Sequence, residues 1–127
     1  MTGDRPPAEF LADILAYAGH AVSFATGHNR ASLEADTKAL YAVEWTLIVI
    51  GEATKRLPQE LRDGHPGIPW RSMARMRDRL VHGYFTADID VIWDTVTVDL
   101  PALIPAIRRL RHELLAAEQP PPPPEAP

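Results

Sequence analysis

Apolar residues recur along this chain at intervals of three and four. Phe10, Leu11, Ile14, Leu15, Ala18 and Val22 form a first stripe, the spacing that gathers side chains on one helical face. Pro6-Pro7 just ahead suits a helix entrance, where a missing N–H costs nothing. Gly27-His28-Asn29 interrupts the pattern. Ser32, Ala35 and Asp36 offer a weak start signal for a second helix running to about Leu57, before Pro58. Its positions Leu40, Val43, Leu47, Ile50, Thr54 and Leu57 line up, and Val49 and Ala53 widen the stripe to nearly the whole circumference. That breadth predicts the central helix of the fold.

Pro58 to Leu61 has room for one short turn, and Gly64, Pro66, Gly67 and Pro69 predict a loop ending at Trp70. A third helix then carries Trp70, Met73, Ala74, Met76, Leu80 and Val81, with Gly83 placed to terminate it. Asp88 or Asp90 is positioned to cap a fourth, whose stripe is Ile92, Val96, Leu100, Leu103, Ile107, Leu110 and Leu114. Pro101 and Pro105 fall inside that stripe and predict a kink or short break near Asp99. No segment alternates with period two for long enough to make a strand. The expected fold is all-α, an antiparallel bundle of four or five helices over residues 1–118. Residues 119–127, Gln119 to Pro127, are a polyproline tail expected to be extended and disordered.

At 127 residues, 46% hydrophobic and 24% charged, the chain has the size and composition of one soluble globular domain. It contains no cysteine, which removes disulfides, thiolate ligands and cysteine nucleophiles and suits a reducing cytoplasm. The first fifteen residues lack the layout of a signal peptide. The most apolar run, Ala39 to Ala53, is short and carries Glu44 and Glu52, so it reads as a buried helix and not a membrane span. Arginine outnumbers lysine eleven to two. A GC-rich codon bias explains that ratio as well as any adaptation to phosphate, so only the position of the arginines is informative.

Their position is uneven. Arg71, Arg75, Arg77 and Arg79 crowd into the third predicted helix with Asp78 and His82, followed by Tyr84, in a chain of net charge −4. Arginine brings fixed charge and forked donors that match phosphate, and histidine takes and gives a proton near neutrality. That combination fits phosphodiester chemistry on RNA. The bland reading is a solvated basic face with a histidine at a helix C-terminus. Geometry complicates the sharp one, because Arg77 and His82 are five residues apart and so diverge by about 140° on an ideal helix. Arginine's reach, unwinding at Gly83, or assembly across a two-fold axis would bring them together. Asp78 shares a face with His82 and is placed to accept its N–H and fix its tautomer. Arg71, Arg75, Arg79 and His82 form a basic edge.

Arg77-x4-His82-x-Tyr84 resembles the signature of the HepT-like ribonuclease toxins of the HEPN superfamily. Ile50-Gly51-Glu52-Ala53, Leu57-Pro58, Ile68-Pro69-Trp70, Met76 to Phe85, Val91-Ile92-Trp93 and Leu100-Pro101 resemble that family in order and spacing, over roughly residues 8 to 115. Family members usually carry Asn where this chain has Asp78. The resemblance implies a HEPN-like helical homodimer with the two motifs facing each other, a metal-independent endoribonuclease activity with no cofactor, and a neighbouring minimal nucleotidyltransferase antitoxin. It further implies AMP transfer from that partner to the motif tyrosine, here Tyr84. On this reading Arg77 and His82 are catalytic, Asp78 and Tyr84 support them, and Arg75 and Arg79 bind RNA phosphate without reading sequence.

Other residues draw weaker expectations. Glu52 is expected to be a buried partner for an arginine of the motif helix. Trp45, Trp70 and Trp93 are expected in the core and not as base-stacking platforms. Arg108-Arg109-Leu110-Arg111-His112 suits either RNA or a solvated last turn. His20, His28, His65 and His112 lack ligand partners at standard spacing, so no metal site is expected. The competing functions are a non-catalytic subunit that holds nucleotide or substrate for a nucleotidyltransferase, and a helical interaction domain that has lost activity. His82 separates the first from a nuclease, since a pure phosphate binder has little need of a titrating group.

Overall fold

The computed structural model describes residues 5–83, 88–118 and 123–125. Seven α-helices and one π-helical turn make up the described part: α1 Pro7–Ala25, α2 Arg30–Ala35, α3 Thr37–Arg56, α4 Gln59–Asp63, α5 Trp70–His82, α6 Ile89–Asp94, the π-helical turn Thr95–Asp99 and α7 Leu100–Glu118. No strand occurs among the described residues. The all-α bundle expected from periodicity is the fold observed, with α3 at its centre, packed on α1 on one side and α5 on the other, and α7 closing against α1.

The boundaries follow from local chemistry. Asn29 and Ser32 form a reciprocal capping box, Asn29 Oδ1 accepting from the Ser32 N–H at 2.8 Å and Ser32 Oγ accepting from the Asn29 N–H at 2.9 Å. This starts α2 two residues earlier than the sequence pattern suggests. Asp36 then accepts from the Ala39 N–H at 3.0 Å and begins α3, so the single predicted second helix is split at that cap. Asp88, and not Asp90, caps α6, its Oδ1 accepting from the Asp90 N–H at 2.8 Å.

The break expected near Asp99 takes the form of the π-helical turn. Pro101 has no N–H to give the Thr97 carbonyl, and its ring crowds that carbonyl. The turn widens instead, the Leu100 N–H bonding to the Thr95 carbonyl. Thr95 and Thr97 hydroxyls donate to the Val91 and Trp93 carbonyls, each at 2.7 Å, a bond that bends helices. α7 then continues through Pro105 to Glu118.

The core joins Leu11, Ile14 and Ala18 of α1 to Val43, Leu47 and Ile50 of α3, Trp70 and Leu80 of α5, and Leu100, Leu103 and Ile107 of α7. Full burial of such side chains contributes about 1.5–3 kcal/mol each. Trp70 is buried, its indole N–H donating to the His65 carbonyl at 3.0 Å, and Trp93 packs half-buried against the core. Trp45 corrects the expectation: it is 59% exposed on the outer face of α3. Arg111 donates to the Ala8 carbonyl at 3.2 Å and ties α7 to α1, while Arg108, Arg109 and His112 are exposed.

Candidate active site

α3 and α5 approach closely at Gly51. A Cβ there would collide with the Cβ of Arg77 and stand 2.7 Å from the Met73 carbonyl oxygen, so only glycine permits this crossing. The close approach brings the end of α3, with Glu52, Lys55 and Arg56, alongside Arg77 and Asp78.

These five residues form a continuous zigzag of charge. Arg56 Nε lies 3.4 Å from Glu52 Oε1, Glu52 Oε2 lies 3.2 Å from Arg77 Nε, Arg77 Nη1 donates to Asp78 Oδ1 at 3.0 Å, and Lys55 Nζ donates to the same oxygen at 3.0 Å. Arg77 Nε is buried, and its N–H is not directed at the Glu52 oxygen, so that contact is ionic more than a well-formed hydrogen bond. Three cations face two carboxylates, which leaves the cluster positive. The Lys55 ammonium, and after it the Arg77 guanidinium, hold the Asp78 carboxyl below the usual carboxylate range. Arg77 Nη2 makes no hydrogen bond among the described residues. A guanidinium held on two edges with a third left open is a preorganised anion donor.

Glu52 is thus the partner of the motif-helix arginine that its position suggested, although it is 41% exposed and not buried. Half-exposed ion pairs contribute about 0–1 kcal/mol. The value of this one lies in orientation. Lys55, which sequence reasoning missed, is the strongest partner of Asp78. No spacing in the sequence marks it, because the contact depends on the register in which α3 crosses α5.

Asp78 and His82 are not brought together. α5 is continuous through His82, which leaves no unwinding ahead of Gly83 to close the 140° divergence from Arg77. His82 ends the helix exposed, and its side chain makes no hydrogen bond, ion pair or ring contact among the described residues. Arg75 and Arg79 are exposed on another face of α5, away from Arg77. Tyr84 lies outside the described residues.

Comparison with known proteins bears on this geometry. The model of the ribonuclease HepT-like family matches residues 14–110. A protein of Thermococcus cleftensis named "Probable ribonuclease HepT" is 49% identical over 76 residues, covering 60% of this chain and 69% of that one. Two proteins of Methanocaldococcus jannaschii that carry RNase names are 33% identical over 105 residues, covering 83% and 90% of the two chains, and 38% identical over 101 residues, covering 80% and 84%. No solved structure matches the chain. The matched span contains the whole Gly51–Arg77 crossing and its charge network, and the chain belongs to the HepT-like ribonuclease family, an endoribonuclease by that membership.

Proposed function

We propose that this protein is the toxin of a toxin–antitoxin pair, a metal-independent cytoplasmic endoribonuclease in which Arg77 and His82 are the catalytic residues. The observation that carries the assignment is the Arg77 guanidinium, oriented by Glu52 and Asp78, on the same helix as an exposed His82 whose side chain has no polar partner among the described residues. The RNA supplies its own nucleophile. His82 takes the 2′-hydroxyl proton as that oxygen attacks the adjacent phosphorus, and a second imidazole gives a proton to the departing 5′-oxygen. One strand ends in a 2′,3′-cyclic phosphate and the other in a 5′-hydroxyl. Arg77 stabilises the charge gathering on the phosphate oxygens. Asp78 supports the site through Arg77, the group its carboxylate touches.

The second imidazole comes from a second copy of the chain. α5 keeps Arg77 and His82 on different faces, so groups from two protomers must converge on one phosphate. Tyr41 and Trp45, 65% and 59% exposed on α3, lead along one face toward Glu52 and supply apolar surface for that contact.

Control falls to a cognate nucleotidyltransferase antitoxin that transfers AMP to Tyr84. Attack of the phenol oxygen on the α-phosphorus of ATP releases pyrophosphate and adds a negative phosphate to the motif, which competes with RNA for its positive charge. Incubation with the partner and ATP should add AMP mass units at Tyr84 and silence cleavage, and Tyr84→Phe should escape both. An adduct elsewhere, or inhibition with none, would mean that the partner acts by occlusion.

A further inference from the structure

α5 has a second face. On one side α3 packs against it through Gly51, but α5 and α7 do not pack closely, and an open groove of about 490 Å³ runs between them. Met73, Met76 and Leu103 give it an apolar lining. Arg75 and Arg79, one turn apart on α5, line it as well, as does Asp99, the last residue of the π-helical turn. None of these three charged side chains has a partner among the described residues, and they do not pair with each other.

Two uncommitted guanidiniums beside an apolar trough call for an anion with a flat apolar body. The groove's volume falls in the range of ligand pockets, about 300–1,000 Å³. A nucleotide meets both demands, with phosphates for the arginine forks and a base for the adaptable thioethers of the trough. Asp99 adds discrimination. An ionised carboxylate only accepts hydrogen bonds. Guanine is the base that presents two N–H donors side by side, at N1 and N2. The corresponding edges of adenine, cytosine and uracil each set a donor beside an acceptor, which a carboxylate repels.

Resting on the ribonuclease reading, we propose that this groove is a base subsite for a guanosine of the bound RNA, with Arg75 and Arg79 on its phosphates and Asp99 on the guanine edge. The full chain carrying His82→Ala binds RNA without cutting it and is the probe, titrated by fluorescence anisotropy with the hexamers UUUGUU and UUUAUU. It should bind the guanosine hexamer about tenfold more tightly, the size of one good bidentate base contact. Adding Asp99→Ala should bring the two affinities within about twofold. Adding Arg75→Ala and Arg79→Ala should weaken both hexamers and flatten the salt dependence. Equal binding of the two hexamers by the His82→Ala chain, or a preference that survives Asp99→Ala, would overturn the subsite. So would arginine variants that bind RNA normally but lose the nucleotidyltransferase, since the groove would then be a protein-docking surface. Incubating wild type with both hexamers separates this proposal from the one beneath it: cleavage without base preference sinks only the subsite, and guanosine-selective binding without cleavage sinks the nuclease.

Discussion

Gly51 of α3 lies directly beneath Arg77 of α5, so close that a single methyl group would occupy the space of the arginine's own Cβ. The helix crossing and the position of the candidate catalytic guanidinium are therefore one feature. Because the colliding atoms are a Cβ and a backbone carbonyl, neither able to swing aside, Gly51→Ala must push α5 away from α3. Overpacking of this kind costs about 1–3 kcal/mol. A displacement of even one ångström at a reacting group is expensive in rate. Gly51→Ala should melt at a lower temperature and lose at least about tenfold in RNA cleavage. Wild-type melting and wild-type cleavage together would show that the crossing is not as tight as described.

The Glu52–Arg77 pair separates orientation from stability. Since Glu52 is 41% exposed, Glu52→Gln should shift stability by less than about 1 kcal/mol. It removes one of the two carboxylates that hold Arg77, so cleavage should fall several-fold while the melting temperature barely moves. A loss of stability larger than the loss of rate would make Glu52 a structural residue.

Asp78 carries a pH signature. Its carboxyl is held below the usual range by Lys55 and Arg77, so the folded state binds that proton less readily than the unfolded chain. The resulting stabilisation is complete above the unfolded carboxylate range, about pH 4, and is lost as pH falls through the lower folded value. Thermal melts of wild type and Asp78→Asn should differ by a constant amount at neutral and mildly acidic pH and converge in strong acid. A gap that closes between pH 5 and 7 would contradict the Lys55 and Arg77 contacts.

Assembly makes a separate prediction. If groups from two copies build the site, sedimentation at micromolar concentration should give about twice the 14.1 kDa chain mass. Trp45→Arg, which places a charge on the exposed apolar face of α3, should shift the protein toward monomer and lower cleavage in parallel. A monomer that cuts RNA at full rate would defeat the two-protomer site.

Much of this was legible in the chain itself. The stripe from Leu11 to Val22 and the breaks at Gly27, Pro58 and Gly83 mark real helices, because burial sets the period and glycine and proline end it. The Glu52–Arg77 pairing was legible because an acid inside an apolar helix needs a cation. The Lys55–Asp78 bond was not, since its existence depends on the register in which α3 crosses α5, which Gly51 fixes only in three dimensions. Asp78 and His82 share a helical face in the sequence, yet the nearby ammonium and guanidinium take the carboxylate. Trp45 misled for a related reason: an apolar stripe around nearly the whole of α3 does not say which face is left outside. Pro101 announced a break but not its π-helical form, and the seam between α5 and α7 that exposes Arg75, Arg79 and Asp99 has no sequence signature at all.

The central claim is that Arg77 and His82 together cleave RNA with no metal. Its most direct measurement is cleavage of a single-stranded RNA by wild type, Arg77→Ala and His82→Ala in the presence of EDTA, with the termini of the products identified. Wild type should cut and leave 2′,3′-cyclic phosphate and 5′-hydroxyl ends. His82→Ala should lose at least about 100-fold, the scale of a positioned acid–base group, and Arg77→Ala nearly as much, with both variants melting close to wild type because His82 is exposed and the carboxylates that hold Arg77 are themselves 41% and 47% exposed. Cutting at the wild-type rate by the His82 variant, or wild-type activity abolished by EDTA, would contradict the mechanism.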